Sequence, residues 1–396
     1  MQGPLEGIKV LDLTRVLAGP FCCMLMGDMG AEVVKVERTG RGDDVRDLEP
    51  QVGGESLYYL VLNRNKLGIT LNFRHPRGAS LLKELVRHTD VLVENFRAGT
   101  MEKMGCGYET LKEINPRLIM VSISGFGQDG PLSEFACYDV VAQAMSGIMD
   151  MTGQADGPPT MAGTFVIDYS TALYAVIGVL GALRARERTG IGQQVDVALL
   201  DTAVSFLITA IPEFLLFGKK MTRIGNRDRY TAPANLFQAK DGRWVYLASG
   251  NDSLFPQLLR AMGQEDVLKD LRFGTLEARM AHIEESEEIL AKWTATKTAD
   301  EIVAVVRGAG LPCAKVASID EVVVNPQVRH RGMVVEVEHP TAGKVPMQGL
   351  NIHFSHTPKQ IRRPPPRLGQ HNEEVYGRWL GLAPGDVARL KAEGVI

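Results

Sequence analysis

The sequence has 396 residues, of which 45% are hydrophobic and 23% are charged, and this composition excludes a disordered chain. The length is sufficient for roughly two or three domains. The formal net charge of -3 provides no basic excess for binding nucleic acid or an anionic membrane.

The cysteines and the apolar segments indicate a cytoplasmic protein without a metal site. No CxxC pair and no Cys/His cluster has metal-ligand spacing, so we expect free thiols in a reducing compartment. The N-terminal MQGPLEGIKV lacks the basic and apolar regions of a secretory signal. The most apolar segment, residues 204–217, contains Pro212 and Glu213 and is too short to span a bilayer. The five cysteines are Cys22, Cys23, Cys106, Cys137 and Cys313.

Short β-branched runs alternate with helical stretches over the first 130 residues. Gly19 and Pro20 open one predicted helix, which runs to about Met29, and a second helix covers residues 107–114. Such alternation predicts right-handed crossovers and a mostly parallel sheet covered by helices. The predicted strands are residues 8–13, 32–36, 90–93 and 118–123.

The pattern of apolar and charged residues along the chain changes after residue 217. Before that point, residues 170–188 form an apolar helix that ends at Gly190, and a strand (194–198) and an apolar helix (199–217) follow. Beyond it, a hairpin is predicted from residues 234–237 and 244–247, turned at Gly242. Charged helices then run to about residue 309, which is typical of a second, smaller α+β domain. A strand near 333–337, a proline-rich segment and a final helix complete the chain.

The first strand, loop and helix suggest a dinucleotide site, but the loop excludes one. An NAD site needs G-x-G-x-x-G between strand and helix, and residues 14–20 contain only Gly19. We therefore predict no NAD, although the backbone N–H groups of this turn can still bind an anion. The eight histidines form no HExxH or other metal-binding pattern.

Asp168 lies just before the long apolar helix, and two interpretations of it are open. Its side chain can cap the helix by accepting a backbone hydrogen bond. Alternatively, its carboxylate can attack an activated carbonyl. A serine nucleophile is not supported, because the sequence has no G-x-S-x-G.

Several separate motifs occur in an order that resembles the class III CoA-transferases, of the formyl-CoA transferase and carnitine CoA-transferase type. The similarity covers essentially the whole chain. Its markers are residues 10–20, 30–37, 63–66, 93–96, 124–127, 164–171 and 367–372.

The resemblance implies an α/β fold with a large Rossmann-like domain formed by both chain ends. A smaller α+β domain would be inserted, and two chains would interlock as a homodimer. The implied boundaries are 1–200 for the N-terminal part of the large CoA-binding domain, 201–223 for a linker helix, 224–328 for the small domain and 329–396 for a linker and the return to the large domain.

The resemblance also implies a mechanism in which Asp168 attacks the thioester of an acyl-CoA. A mixed aspartyl anhydride and then an aspartyl-CoA thioester would form before a carboxylic acid accepts the CoA. A carboxylate is ordinarily ionised at pH 7, so we expect no general base. Neither a metal nor NAD is required. The implied CoA contacts are Leu17, Ala18, Arg38, Leu71, Asn72, Phe73, Arg74, Asn95, Phe96, Arg97, Lys103 and Tyr138.

The charged and apolar members of this set have different expected roles. Arg38, Arg97 and Lys103 would supply charge for the nucleotide phosphates. Phe96 and Leu71 suit the adenine and pantetheine surfaces.

Departures from the family pattern bear on specificity. Formyl-CoA transferases carry His and Gln where Arg15 and Leu17 stand, and Lys where Ala136 stands, and their four-glycine loop is replaced by residues 248–252. We therefore do not expect formyl-CoA/oxalate specificity. Arg15 is instead predicted to bind the free carboxylate of a dicarboxylate such as succinate, mesaconate or citramalate.

Two alternative functions are open. An α-methylacyl-CoA racemase of the same fold would need a histidine paired with an aspartate, whereas this chain has Cys137, Tyr138 and Asp139 at the place of that histidine. A non-catalytic CoA-binding protein would not need Asp168.

Overall fold

A computed structural model of the protein describes residues 3–357 and 360–396, and all elements below lie within those ranges. The strands are β1 (Lys9–Asp12), β2 (Glu32–Glu37), β3 (Gln51–Val52), β4 (Glu55–Ser56), β5 (Lys66–Thr70), β6 (Val91–Glu94), β7 (Ile119–Ser124), β8 (Gln194–Ala198), β9 (Ala234–Gln238), β10 (Trp244–Ala248), β11 (Cys313–Lys315), β12 (Val334–His339) and β13 (Gly343–Gln348). The helices are α1 (Ala18–Asp28), α2 (Leu57–Leu60), α3 (Gly78–Val86), α4 (Thr100–Lys103), α5 (Tyr108–Ile114), α6 (Asp139–Ser146), α7 (Ile148–Met151), α8 (Val166–Thr189), α9 (Leu199–Ser205), α10 (Ala210–Phe217), α11 (Phe255–Met262), α12 (Leu276–Ala281), α13 (Ile283–Thr294), α14 (Ala299–Gly308), α15 (Ile319–Val324), α16 (Pro326–His330), α17 (Asn372–Leu380) and α18 (Pro384–Ala392).

The chain divides into two compact units. The first comprises Met1–Met149, Met161–Lys220 and Gln327–Ile396, and the second comprises Asp150–Thr160 and Met221–Pro326. The segment Asp150–Thr160 thus clusters with the second unit, whereas the boundaries expected from the sequence assign it to the first domain.

A six-stranded parallel sheet forms the centre of the first unit, as the alternating strands and helices predicted. Its order is β5-β2-β1-β6-β7-β8, which becomes 3-2-1-4-5-6, the Rossmann order, when the strands are renumbered within the sheet. From β1 the chain adds β2 and then β5 on one side of the sheet. It then crosses to the other side of β1, where it adds β6, β7 and β8. Loops at the carboxyl ends of β1 and β6 therefore diverge and leave a crevice, where ligands of open α/β sheets bind.

Helices cover both faces of this sheet, so most of its strand residues are buried, although the edge strand β8 leaves Gln194 and Asp196 exposed. On one face, α1 and α8 enclose a core that includes Met26 and Ile167. On the other face, α3, α17 and α18 enclose a second core around Leu82 and Trp379. β5 belongs to this sheet but was not predicted as a strand.

The long helix α8 begins at Val166, four residues before the predicted start at Ser170, and Gly190 in a left-handed conformation (φ 76°) ends it. By length and apolarity it would also suit a membrane span, as would α9 and α10 if they are counted as one span despite a 70° bend. In the fold, Ala172, Ala175 and Val179 are buried in the core beside α1.

Two predicted helices are each divided in the structure. The helix expected over residues 199–217 is α9 and α10, and Ile208 between them has a positive φ of 44°, which a helix cannot accommodate. The single helix predicted at the end of the chain is α17 and α18, separated at Gly381 (φ 68°).

In the second unit, the predicted hairpin is confirmed as β9 and β10, paired antiparallel with Ala234 opposite Ala248. The antiparallel strand β11 extends it to three strands. Phe255, Leu290 and Trp293 of helices α11 and α13 are part of the core of this unit.

A late segment of the chain packs along β5 in the first unit. Gly68 N–H donates to His371 Nδ1 (2.9 Å), and His371 N–H donates to Gly68 C=O (2.8 Å). Thr70 N–H donates to Asn372 Oδ1 (2.9 Å). A Cβ at Gly68 would lie 2.8 Å from Pro366 Cβ, so only glycine allows this approach.

Candidate active site

A cavity of about 200 Å³ opens at the carboxyl edge of the parallel sheet, where the strand order places the crevice. It gathers eight of the predicted site residues, namely Arg15, Leu17, Ala18, Asn95, Phe96, Arg97, Tyr138 and Asp168. Nine further residues, which were not predicted as catalytic or binding residues, complete the lining, namely Val16, Asp44, Ile123, Ser124, Gly125, Phe135, Ala136, Cys137 and Leu199.

The loop between β1 and α1 is strained at the cavity. Val16 has a φ of 70°, which is costly for a β-branched residue and persists only where the surroundings enforce it. Asn95 enforces it, because its Oδ1 accepts from Arg15 N–H (2.8 Å) and its Nδ2 donates to Arg15 C=O (2.7 Å). The Asn95 amide, predicted to contact CoA, is thus occupied in holding the loop.

Two buried charged side chains, those of Lys35 and Asp43, hold the same loop through hydrogen bonds. Lys35 Nζ donates to Thr14 C=O (2.9 Å) and to Asp43 Oδ2 (3.1 Å), and both charged side chains have 0% exposure. Asp43 Oδ1 in turn accepts from Val16 N–H (3.2 Å). This pair was not predicted from the sequence. Its signal is a lysine within the apolar strand β2, since an ionised lysine is buried only where it has partners.

Helix α1 begins at this loop without a side-chain cap and without an acidic residue in its first turn. A Cβ at Gly19 would lie 2.3 Å from Thr14 Cβ, so only glycine lets the helix start so close to the loop. The N–H groups of the first turn, beside Leu17 and Ala18, therefore remain available for an anionic group.

Charged side chains line the mouth of the cavity. Arg15 Nη1 lies 3.4 Å from Asp44 Oδ2, and Arg38 forms a second ion pair with the same carboxylate. The Arg15 guanidinium also lies 5.4 Å from the centre of the Phe96 ring. Arg38 does not line the cavity itself, but Asp44 connects it to the wall.

Asp168 does not cap helix α8, so that interpretation of the sequence is wrong. The capping group is Asp139, whose Oδ2 accepts from the N–H groups of Ile167 (2.7 Å) and Asp168 (3.0 Å). Among residues 3–357 and 360–396, no hydrogen bond to the Asp168 side chain is found. This carboxylate lines the cavity.

Burial, together with the nearby charge of Asp139, raises the pKa of Asp168 to about 7. This raised pKa argues against the expectation of a fully ionised carboxylate at pH 7, because part of the population would carry the proton there. Burial and the Asp168 charge also raise the pKa of the Cys137 thiol to about 11.

Some of the predicted CoA contacts lie outside the cavity, and one of them is wrong as a side-chain contact. Leu71 has 0% exposure and belongs to the sheet core, so its side chain cannot provide a surface for adenine or pantetheine. Asn72 Nδ2 donates to Gly394 C=O, and its Oδ1 accepts from Arg74 N–H. The remaining predicted contacts that do not line the cavity are Arg38, Phe73, Arg74 and Lys103.

Tyr138 is 66% exposed and stands immediately before helix α6. The preceding Cys137 packs against Gly125, where a Cβ would lie 2.2 Å from Cys137 Cβ. A phenol and a thiol therefore line the same cavity as the β1–α1 loop, at the place where a racemase would carry its histidine.

Comparison with known proteins identifies the family. Residues 5–372 match CoA-transferase family III. The chain is 39% identical to the succinyl-CoA--D-citramalate CoA-transferase of Chloroflexus aurantiacus, over 99% of this chain and 98% of that protein. It is 38% identical to the human succinyl-CoA:glutarate CoA-transferase, over 99% and 90% of the two chains.

A solved structure supports the same assignment. The crystal structure of a CAIB/BAIF family protein from Brucella suis aligns with a TM-score of 0.84 and 36% identity, over 96% of this chain and 100% of that chain. The family expected from the motifs is thus confirmed. The chain belongs to CoA-transferase family III, and it is an enzyme that transfers coenzyme A between carboxylic acids.

Proposed function

We propose that this enzyme moves CoA from a dicarboxyl-CoA such as succinyl-CoA to a second carboxylic acid, with Asp168 as the nucleophile. The observation that carries the proposal is a carboxylate without a hydrogen-bond partner among the described residues, lining a cavity that also contains Arg15 and the start of helix α1. The relatives named for succinyl-CoA with citramalate or glutarate favour dicarboxylates.

In this proposal, the ionised Asp168 attacks the carbonyl of the donor thioester. The C–S bond breaks, CoA leaves as a thiolate, and a mixed anhydride remains on Asp168. The thiolate then attacks the aspartyl carbonyl and releases the donor acid as a carboxylate, leaving an aspartyl-CoA thioester. The acceptor carboxylate repeats the sequence in reverse and frees Asp168. No ATP is needed, because each intermediate remains activated.

The cavity wall offers groups suited to both halves of the substrate. The uncapped N–H groups at Leu17 and Ala18 can stabilise negative charge that develops at the reacting carbonyl. Phe96 and Arg97 provide an aromatic face and a cation for CoA. Arg38 and Lys103, outside the cavity, are proposed to attract its phosphates.

We propose that Arg15 binds the distal carboxylate of the acyl group. Its present partner, Asp44, is 3.4 Å away and shared with Arg38, so a substrate carboxylate can compete for the guanidinium. Arg15→Leu should raise the KM for succinyl-CoA at least tenfold and leave a monocarboxyl-CoA nearly unaffected, since one charge-assisted bond contributes about 1.5–3 kcal/mol. Arg41→Leu, at an exposed ion pair in the same region, is the matched control. Unchanged succinyl-CoA turnover in Arg15→Leu would eliminate this role.

The nucleophile is tested by chemical trapping. Incubation with acyl-CoA and hydroxylamine should convert the Asp168 carboxylate into a hydroxamate that peptide mass spectrometry detects, and Asp168→Ala should give no such product. If the wild type is modified elsewhere or not at all, the proposed mechanism fails. A racemase would instead incorporate deuterium at the α-carbon in D₂O without an acceptor acid, and a CoA-binding protein would transfer nothing.

We further propose that the enzyme is a cytoplasmic, interlocked homodimer. Its support is the family resemblance together with exposed apolar side chains on α8 and α10, among them Ile177, Leu215 and Phe217. Light scattering after size-exclusion chromatography should give twice the chain mass, and a monomer at micromolar concentration would contradict it.

A further inference from the structure

The residue that caps helix α8 is a buried acid next to the proposed nucleophile. Asp139, the first residue of α6, is 1% exposed, and its Oδ2 accepts from the N–H groups of Ile167 and Asp168. Gln143 Nε2 donates to its Oδ1, and Gln143 Oε1 accepts from Ala162 N–H (3.0 Å). Asp139 therefore fixes the backbone at Asp168 and is tied to the segment that precedes it.

Capping alone does not explain an aspartate at this place. Asparagine presents an acceptor oxygen at the same reach, and it would not introduce a charge beside a reactive carboxylate. All three hydrogen bonds at the Asp139 carboxyl are received from donors, which suits an ionised, acceptor-only group. Two acidic side chains thus stand side by side, and the repulsion between them is costly in a buried environment.

Within residues 3–357 and 360–396, the groups that interact with Asp168 include no cation that would offset this repulsion. Those groups are Asp139 from α6, Tyr58 from α2, Tyr169 from α8 itself and Cys137 from the segment before α6. The other charged side chains that line the same cavity are Arg15, Asp44 and Arg97.

We infer that Asp139 is a positioning residue whose negative charge drives acylation of Asp168. The inference rests on the proposed nucleophilic role of Asp168. When Asp168 attacks the thioester, its carboxylate becomes a neutral acyl group, and the electron pair of the broken C–S bond leaves on the CoA sulfur. The negative charge thereby moves away from Asp139, and the repulsion is released in both the anhydride and the aspartyl-CoA thioester. The same repulsion favours protonated Asp168, in keeping with its raised pKa.

The substitution that separates charge from capping is Asp139→Asn, because the amide oxygen can still accept the two backbone hydrogen bonds. In wild type, kcat/KM should rise with pH through about 7, as Asp168 loses its proton. In Asp139→Asn, the rise of kcat/KM should occur at a pH lower by about one unit or more. The ratio of aspartyl-CoA thioester to free Asp168, measured by mass spectrometry at pH 9 and fixed substrate concentrations, should fall about tenfold for each unit of that shift.

Asp139→Ser, a second uncharged variant, should reproduce both shifts, and it replaces Asp139→Asn if that variant fails to fold. If an uncharged variant kept both the pH at which kcat/KM rises and the thioester ratio of wild type, the inference would be overturned and Asp139 would be a cap only. Absence of any Asp168 adduct in the wild type would instead overturn the proposed function. Asp139→Ala, which removes cap and charge together, should lower the thermal midpoint below that of Asp139→Asn.

Discussion

Lys35→Met tests whether the buried ion pair holds the active-site loop. The substitution leaves the Asp43 carboxylate at 0% exposure without its cation. Breaking a buried pair from one side costs about 3–5 kcal/mol. Asp43 Oδ1 still accepts from the N–H groups of Val16 and Val45, so we expect the lower part of that range, about 3–4 kcal/mol. This corresponds to roughly a 160- to 870-fold increase in the opening equilibrium of β1 and β2.

Hydrogen exchange followed by mass spectrometry measures this equilibrium on peptides from β1 and β2. The matched control is Arg41→Met, which breaks the exposed ion pair with Asp47 and should leave their protection unchanged. The double variant Lys35→Met/Asp43→Leu should recover most of the protection, because no buried charge remains unpaired. It should not recover kcat/KM, because Val16 N–H has lost its acceptor. Unchanged protection in Lys35→Met, or full activity in the double variant, would refute the reasoning.

Three further predictions follow from the site. Since the folded state raises the pKa of Asp168 from 3.8 to about 7, it binds that proton more tightly than the unfolded chain, and wild type loses stability as pH rises from about 4 to 7. The difference in thermal midpoint between Asp168→Asn and wild type should therefore shift in favour of the variant from about pH 4 to 7 and stay constant above pH 7. A difference that shifts in favour of wild type as pH rises would contradict this direction. Gly125→Ala should displace Cys137, 2.2 Å from the new Cβ, and lower kcat/KM, whereas Gly181→Ala on α8, with nothing within 4 Å, should leave kcat/KM unchanged. Asn95→Asp loses the donor to Arg15 C=O and places two oxygens 2.7 Å apart, so the KM for acyl-CoA should rise; an unchanged KM would show that Asn95 does not hold the loop.

Local sequence patterns were sufficient for most of the parallel sheet. β1, β2, β6 and β7 are apolar runs bounded by turn-forming residues, which a single pass along the chain detects. β5 was missed because it starts with Lys66 and contains Gly68. Lys66 is buried only because it pairs with Asp12 (2.8 Å), and Gly68 is required by a segment some 300 residues away; neither reason is local.

The start of helix α8 shows the same limit at the active site. Its first turn was missed because the capping group comes from Asp139, 28 residues before Ile167, and no residue of the turn signals it. Resemblance to a family brought Asp168, Arg15 and Asn95 to attention, and the structure places all three at one cavity. It could not reveal that the amide of Asn95 serves the loop or that Leu71 is enclosed in the core, because both depend on packing.

The packing of the late segment along β5 has a consequence for biosynthesis. Thr70 leaves the ribosome 302 residues before its hydrogen-bond partner Asn372. Since synthesis adds about 5–20 residues per second, roughly 15–60 s pass between the synthesis of β5 and that of the late segment that packs along it. During that interval the unpaired edge of β5 is open to other nascent chains, and chaperone binding would protect it. Folding of the second unit is not subject to this delay, because most of the unit is one continuous stretch, Met221–Pro326. Pulse-labelled protease digestion of ribosome-bound chains should therefore find this stretch resistant while the N-terminal residues are still cleaved.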